Sequence, residues 1–237
     1  MRFVQPVVVC SLLGATLAAC GGGGAFDPGA GDDPGTGSLT LRIDADVDAR
    51  PIGANPDDAQ GFSTEFHVRV QKDTVDVTTG TVTVTSRGGE VPLVYGADNR
   101  WHGVQAGYWE VYELTVESGA DFVEGVRVDG PALHAFTAPL PGATLDSQVA
   151  QAITWKRGEA ADQATLDTDE IDELAIPDTG AFSLPAGSLK SNSGEVEVER
   201  IRLDRQATVI PTGAVGGSQM RVQVRNEVEV LIQATGL

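Results

Sequence analysis

The chain has little cysteine, few aromatic residues and a shortage of positive charge. Its 237 residues include two cysteines, Cys10 and Cys20, and aromatics make up 5% of it. Sixteen Lys and Arg stand against 34 Asp and Glu, for a formal charge of −18. Each shortage excludes something. Without a basic footprint for phosphates, nucleic acid is excluded as a partner, and so is docking of the protein body on anionic lipid. Without a set of cysteines there is no disulfide framework, so the fold has to stand on its apolar core. Long apolar runs are scarce too. The clearest one lies within residues 3–17, shorter than the roughly 20 residues of a membrane-spanning helix. The three histidines, His67, His102 and His134, lack His-x-x-x-His spacing and read as surface or loop residues. No Gly-x-Ser-x-Gly elbow or Ser-x-x-Lys arrangement occurs. The glycine runs do not link a strand to a helix as a phosphate cradle would. The sequence therefore names no catalytic, cofactor-binding or metal-binding residue.

What is there begins at the N-terminus. Met1 and Arg2 precede the apolar run, which has the length of a signal-peptide core. It ends in Leu17-Ala18-Ala19-Cys20, followed by four glycines. This motif resembles the lipobox of bacterial lipoproteins. The resemblance implies cleavage before Cys20, diacylglycerol on its sulfur and acylation of the new amino group. Residue 21 is Gly rather than Asp, which by the same resemblance implies the outer membrane, with the body facing the periplasm or the cell surface. Residues 1–19 are then the signal peptide. Residues 20–37, rich in glycine and poor in apolar side chains, read as a flexible lipidated tether.

Beyond the tether, apolar and polar residues alternate. Ser38-Leu39-Thr40-Leu41-Arg42-Ile43-Asp44-Ala45-Asp46-Val47 has the period of two that marks a strand with one buried face. The same pattern recurs at Phe66, Val68 and Val70, at Val82 and Val84, and at Tyr112, Leu114 and Val116, with Gly, Asp and Pro turns between. Residues 133–137 would close this first set. Pro139, Pro141 and Gly142 then break the chain, and residues 143–152 hold its one hint of helix. Alternation resumes through Ile153, Trp155, Phe182 and Leu184. In Glu195-Val196-Glu197-Val198-Glu199 the valines are expected to face inward. Ile201 and Leu203 have the opposite parity, which predicts a bulge near Arg200. Asn226-Glu227 interrupts the run from Met220 to Ile232 and reads as a tight turn or an irregularity in one long strand. The expected fold is all-β: two tandem antiparallel β-sandwiches, at 38–140 and 141–237.

Two stretches carry a further resemblance. Thr74-Val75-Asp76-Val77 through Trp101-His102-Gly103 and Gly107-Tyr108 to Tyr112-Glu113-Leu114-Thr115-Val116 resembles immunoglobulin-like and carboxypeptidase-regulatory-like domains. Asp178-Thr179-Gly180-Ala181-Phe182-Ser183-Leu184-Pro185 through Val230 resembles the C-terminal immunoglobulin-like halves of uncharacterised myxobacterial lipoproteins. These resemblances imply β-sandwich interaction modules and carry no catalytic motif.

Two constellations invite a function. Asp167-Thr168-Asp169-Glu170-Ile171-Asp172, with Glu173 and Asp178, could offer several oxygens to calcium. A solvated acidic loop is the plainer reading, since the EF-hand pattern is not met. Tyr95, Trp101, Tyr108, Trp109 and Tyr112 could stack on sugars or anchor a protein; filling the core of a valine-rich domain is the commoner use. The expected function is a non-catalytic envelope lipoprotein, held in the membrane by a lipid on Cys20, that presents interaction modules to a protein or glycan. The alternatives are an enzyme acting on extracellular glycan or peptide, and a structural spacer in an envelope assembly.

Overall fold

A computed structural model of the chain describes residues 27, 29, 31–191 and 195–233. The expected signal peptide at 1–19 and Cys20, the expected site of lipid attachment, lie outside the described residues. In chain order the first strands are β1 (Asp33–Gly37), β2 (Leu41–Pro51), β3 (Phe62–Lys72), β4 (Val75–Asp76), β5 (Thr81–Ser86) and β6 (Gly89–Pro92). Next come β7 (Val94–Tyr95), β8 (Trp101–Ala106), β9 (Val111–Ser118), β10 (Asp121–Asp129), β11 (Ala135–Ala138) and β12 (Thr144–Leu145). The last are β13 (Gln151–Lys156), β14 (Gln163–Thr168), β15 (Leu174–Ile176), β16 (Ala181–Leu184), β17 (Glu197–Val209) and β18 (Gln219–Ile232). The only helical segment among the described residues is a single 3-10 turn, Ala59–Gly61. The hint of helix at 143–152 resolves into β12, a turn and the start of β13.

The strands form three sheets. A ten-stranded sheet runs β15-β14-β17-β18-β2-β3-β8-β7, with β12 beside β18 and β4 beside β3. A five-stranded sheet, β1-β10-β9-β5-β6, covers one part of it, and a three-stranded sheet, β11-β13-β16, covers another. Two sandwiches result, each with its own core. In the first, Ile43, Val47, Phe66 and Val68 of the long sheet meet Val84, Leu114 and Val126 of the five-stranded sheet. In the second, Leu166, Ile201 and Val230 meet Ile153, Trp155 and Leu184. Full burial of a Val, Leu, Ile or Phe side chain contributes about 1.5–3 kcal/mol. The cores are thus the main source of stability among the described residues, which include no cysteine.

One hairpin ties the two sandwiches together across the boundary expected between 140 and 141. β17 and β18, 13 and 14 residues long, form one hairpin that serves both cores. Ile201, Leu203, Val228, Val230 and Ile232 belong to the second core. Ala207, Val209, Met220, Val222 and Val224, on the same two strands, belong to the first. The first half of β18 pairs in parallel with β2, from Gln219 opposite Asp44 to Val224 opposite Ala49. Its end pairs in parallel with β12. The expected all-antiparallel pattern therefore fails at β18, where both units dock side by side on one edge. β11, expected to close the first set, lies instead in the sheet of the second sandwich.

Three local expectations also change. The end of the expected tether is edge strand β1, paired with β10 from Asp33 opposite Arg127 to Gly37 opposite Val123. Its glycine content serves close packing: a Cβ on Gly37 would collide with the carbonyl of Gly213, and one on Gly213 with Thr36. No bulge occurs near Arg200, since β17 and β18 stay in unbroken register from Glu197 opposite Ile232 to Val209 opposite Met220. Val196 and Val198 are exposed, while Glu199 takes the inward position. That position is tolerated because the Glu199 carboxylate accepts the Asp169 amide at 2.9 Å. Burial and the neighbouring Asp169 push its pKa up. Asn226 likewise makes no turn. It occupies an ordinary inward position of β18 and is fully buried.

Arg205 and Asn226 explain how one hairpin feeds two cores. Both sit on the inward parity, between the apolar residues of one core and those of the other. Arg205 donates to Asp178 Oδ2 from Nε at 3.0 Å and from Nη2 at 2.8 Å, and also to the Ala132 carbonyl. Asp178 further accepts Trp155 Nε1 at 3.1 Å and the Ala161 amide at 2.8 Å. Burial pushes the Asp178 carboxyl up, and these donors outweigh it, holding the group below the usual carboxylate range. Asn226 Nδ2 donates to the carbonyls of Pro56 at 2.9 Å and His134 at 2.7 Å. His134 is buried beside them and lies 3.0 Å from the Leu203 carbonyl through Nε2. A polar layer thus divides the apolar face of the hairpin; Arg205, Asp178 and Asn226 find the partners that burial demands, while His134 Nδ1 is buried without one.

Candidate functional site

A continuous polar surface lies on the outer face of the ten-stranded sheet. Strict alternation puts it there. In β2 the residues between the buried Ile43, Ala45, Val47 and Ala49 are Asp44, Asp46 and Asp48. In β3 they include Glu65, His67 and Arg69. In β17 and β18 they include Arg200, Arg202, Asp204, Arg221, Gln223 and Arg225. Strand pairing sets these residues in rows across the sheet: His102 beside His67, His67 beside Asp46, and Asp46 beside Arg221.

Most charges on this face are matched. Arg225 grips Asp204 with two bonds, Nε to Oδ1 at 2.8 Å and Nη2 to Oδ2 at 2.9 Å. Arg221 Nε donates to Asp46 Oδ1 at 2.7 Å, and Arg69 Nε to Asp76 Oδ1 at 2.9 Å. Arg202 reaches Asp167 at 2.9 Å and Asp169 at 3.3 Å. Two shallow depressions of about 300 and 270 Å³ lie on the face, one lined by residues including Asp167, Asp204 and Arg225 and one by residues including Asp48, Arg50 and His67.

The acidic constellation at 167–178 does not assemble as one site. Asp167 and Asp169 turn to Arg202, while Asp178 is buried with Arg205 in the polar layer. Thr168 Oγ1 accepts the Glu170 and Ile171 amides and closes the turn between them. The aromatics are core residues: Trp101, Tyr108 and Tyr112 are buried, and Tyr95 and Trp109 are half-buried against the first core. Tyr95 packs edge-on to Trp101 with ring centroids 5.5 Å apart. Burial raises the Tyr112 hydroxyl to about 12. No aromatic platform for sugars is left among these five residues.

The histidines depart most from expectation. His134 is buried rather than at the surface, and burial, with Arg205 nearby, lowers it to about 3. His67 and His102 stand directly opposite each other on β3 and β8, with Nδ1 atoms 3.0 Å apart. Their rings are nearly perpendicular, at 85°. Behind them stand two carboxylates: Asp98 Oδ1 is 2.6 Å from His102 Nε2, and Glu65 Oε2 is 3.5 Å from His67 Nε2. The bond to His102 holds the Asp98 carboxyl below its usual range. Sequence reasoning missed this chain of four groups, though Glu65 and His67 share the polar parity of one strand and Asp98 precedes His102 by four residues. It also missed Arg205, whose signal was a charged residue on the parity of Ile201, Leu203 and Val209.

No protein-family model matches the chain, and no curated protein does. Among solved structures it is similar to DIP-gamma IG1+IG2, at 6% identity over 83% of this chain and 99% of that one, with a TM-score of 0.24. It is similar also to a chimeric titin Z1Z2-Z1Z2 tandem, at 12% identity over 78% and 96% of the two chains, TM-score 0.23. A bacterial ice-binding adhesin gives 13% identity over 82% and 66%, again with a TM-score of 0.23. At such scores these likenesses carry no argument about fold or function. The all-β architecture rests on the sheets and cores of this chain.

Proposed function

We propose that the chain is a lipoprotein of the bacterial outer membrane, anchored through Cys20, whose folded body is a non-catalytic module for binding a protein partner. The observation that carries the reading is Leu17-Ala18-Ala19-Cys20 followed by Gly21, at the end of a short apolar run. Lipid on Cys20 supplies the membrane affinity, since two or more acyl chains hold a protein where one binds only reversibly. The polar outer face is the surface for the partner. A protein partner is favoured over a glycan because the clustered aromatics are spent on the core. A binding role is favoured over hydrolysis because paired-acid chemistry needs two acids about 5–10 Å apart in a cleft. On this face Asp46, Asp167 and Asp204 each hold an arginine instead. The immunoglobulin-like resemblance of the sequence fits the same role.

Radiolabelled palmitate should enter the unaltered protein and not a Cys20→Ser variant. Protease shaving of intact cells, with lysed cells as the control, then locates the body. Loss of the folded part from intact cells places its partner outside the cell, and protection until lysis places it in the periplasm. Absence of lipid from the unaltered protein would remove the anchor and with it the reading.

A further inference from the structure

His67 and His102 meet through one short nitrogen-to-nitrogen contact, with a carboxylate behind each ring. Asp98 Oδ1, 2.6 Å from His102 Nε2, calls for an N–H there, while Glu65 stands 3.5 Å from His67 Nε2. A neutral imidazole with its proton on Nε2 presents a bare lone pair at Nδ1. The lone pair of His102 thus lies 3.0 Å from His67 Nδ1. Either His67 carries its proton on Nδ1 and donates it to His102, or a metal cation joins the two nitrogens.

We propose that His67 and His102 form a divalent transition-metal site on the outer face of the long sheet, ligating through Nδ1 with Asp98 and Glu65 orienting the rings from behind. Two features of the geometry support a metal over a proton alone. Metal-to-nitrogen bonds of about 2.0–2.1 Å drawn from two atoms 3.0 Å apart meet at about 95°. That is the angle between neighbouring ligands of a square-planar or octahedral ion, so copper(II) and nickel(II) fit better than tetrahedral zinc. The carboxylates also stand where a ligating histidine usually finds a partner for its second nitrogen, fixing its tautomer and raising its basicity. Among the described residues no set of three or more His, Cys, Asp or Glu is arranged to hold a metal. The site therefore supplies two protein ligands and leaves the other positions to water or to a donor from elsewhere. Both side chains are 34% exposed, which leaves an approach from solvent. His134, the third histidine, is buried.

The test uses the full-length chain in detergent with Cys10→Ser and Cys20→Ser, so that no thiol competes. Copper(II), nickel(II) and zinc(II) are titrated separately by calorimetry, and the copper form is examined by electron paramagnetic resonance. The expected result is one copper per chain, bound more tightly than zinc, with hyperfine structure from two equatorial imidazole nitrogens. His102→Ala should abolish the two-nitrogen spectrum, and Asp98→Asn should weaken binding about tenfold. Copper binding that persists unchanged in a His67→Ala, His102→Ala double variant would overturn the proposal. So would a spectrum without two nitrogens, or no binding at millimolar metal, which leaves an N–H···N hydrogen bond as the link between the rings. Should the double variant not fold, the spectrum of the unaltered histidine pair decides alone.

Discussion

Arginine meets aspartate on both faces of the β17–β18 hairpin, and the two settings differ in almost everything but chemistry. On the outer face, Arg225 and Asp204 share two hydrogen bonds while the arginine side chain stays 29% exposed. On the inner face, Arg205 is 0% exposed and Asp178 4%. Water screens the outer pair, so either partner can be lost at small cost. The inner pair has no water to fall back on. Its partners, Trp155, the Ala161 amide and the Ala132 carbonyl, are fixed by the fold. The outer pairs set the character of a surface, whereas the inner one marks where one core stops and the next begins.

The sharpest way to test this contrast is Arg205→Leu. It leaves buried Asp178 with Arg157 at 3.9 Å as its one remaining cation among the described residues, at a cost of about 3–5 kcal/mol. Urea unfolding followed by tryptophan fluorescence should show a midpoint far below that of the unaltered protein. Adding Asp178→Asn to Arg205→Met removes both charges and should recover part of the loss. Equal midpoints for Arg205→Leu and an outer-face variant would end the distinction.

The second test uses pH. His134 keeps a pKa of about 3 in the fold against an ordinary 6.5. From pH 6.5 down toward 3 the unfolded chain takes up a proton that the native state refuses, so stability falls across that window as pH drops. His134→Gln removes the titrating group and should flatten this part of the curve, as read by thermal melting at a series of pH values. Arg205 and Asp178 remain nearby in both proteins. The carboxylates held below their usual range, Asp178 among them, add their losses at lower pH. An unchanged slope between pH 6.5 and 4.5 would show that the layer does not hold His134 neutral.

The smallest effect belongs to the outer face. Arg225→Ala should cost no more than about 1 kcal/mol. That difference should shrink in 0.5 M salt, roughly, as screening weakens the surface pair. A loss of several kcal/mol would mean that the outer ladder is structural after all.

The strands were legible because alternation is a local property. β2, β3, β5 and β9 can be read from their valines, leucines and phenylalanines, and the parity of β18 was correct through Met220, Val222, Val224, Val228 and Val230. Partnership was not legible. Nothing local says that β18 will lie parallel to β2, or that one hairpin supplies two cores. Val196 and Val198 look inward by type, yet the inward position goes to Glu199 because the Asp169 amide waits there. Asn226 looks like a break because its partners, Pro56 and His134, are remote in sequence. The same holds for the candidate site. His67 and His102 read as separate residues because strand register, which brings them face to face across 35 positions, is a tertiary fact.

The shared hairpin also governs how this protein can come into being. Ser218 Oγ accepts the amide of Ile43 across 175 residues, in the region where β18 docks on β2. Neither core can close until the stretch through Ile232 has left the ribosome and crossed any membrane in its way. Contacts of such long range make for slow folding. A chain kept open for that long exposes unpaired strand edges to aggregation. A cut before β11 leaves the second core on one piece, since its residues run from Phe136 to Ile232, but takes from the first core the strands that supply Ala207, Val209 and Met220. The first sandwich therefore depends on the hairpin that closes the second, whereas the second borrows no core residue from the first.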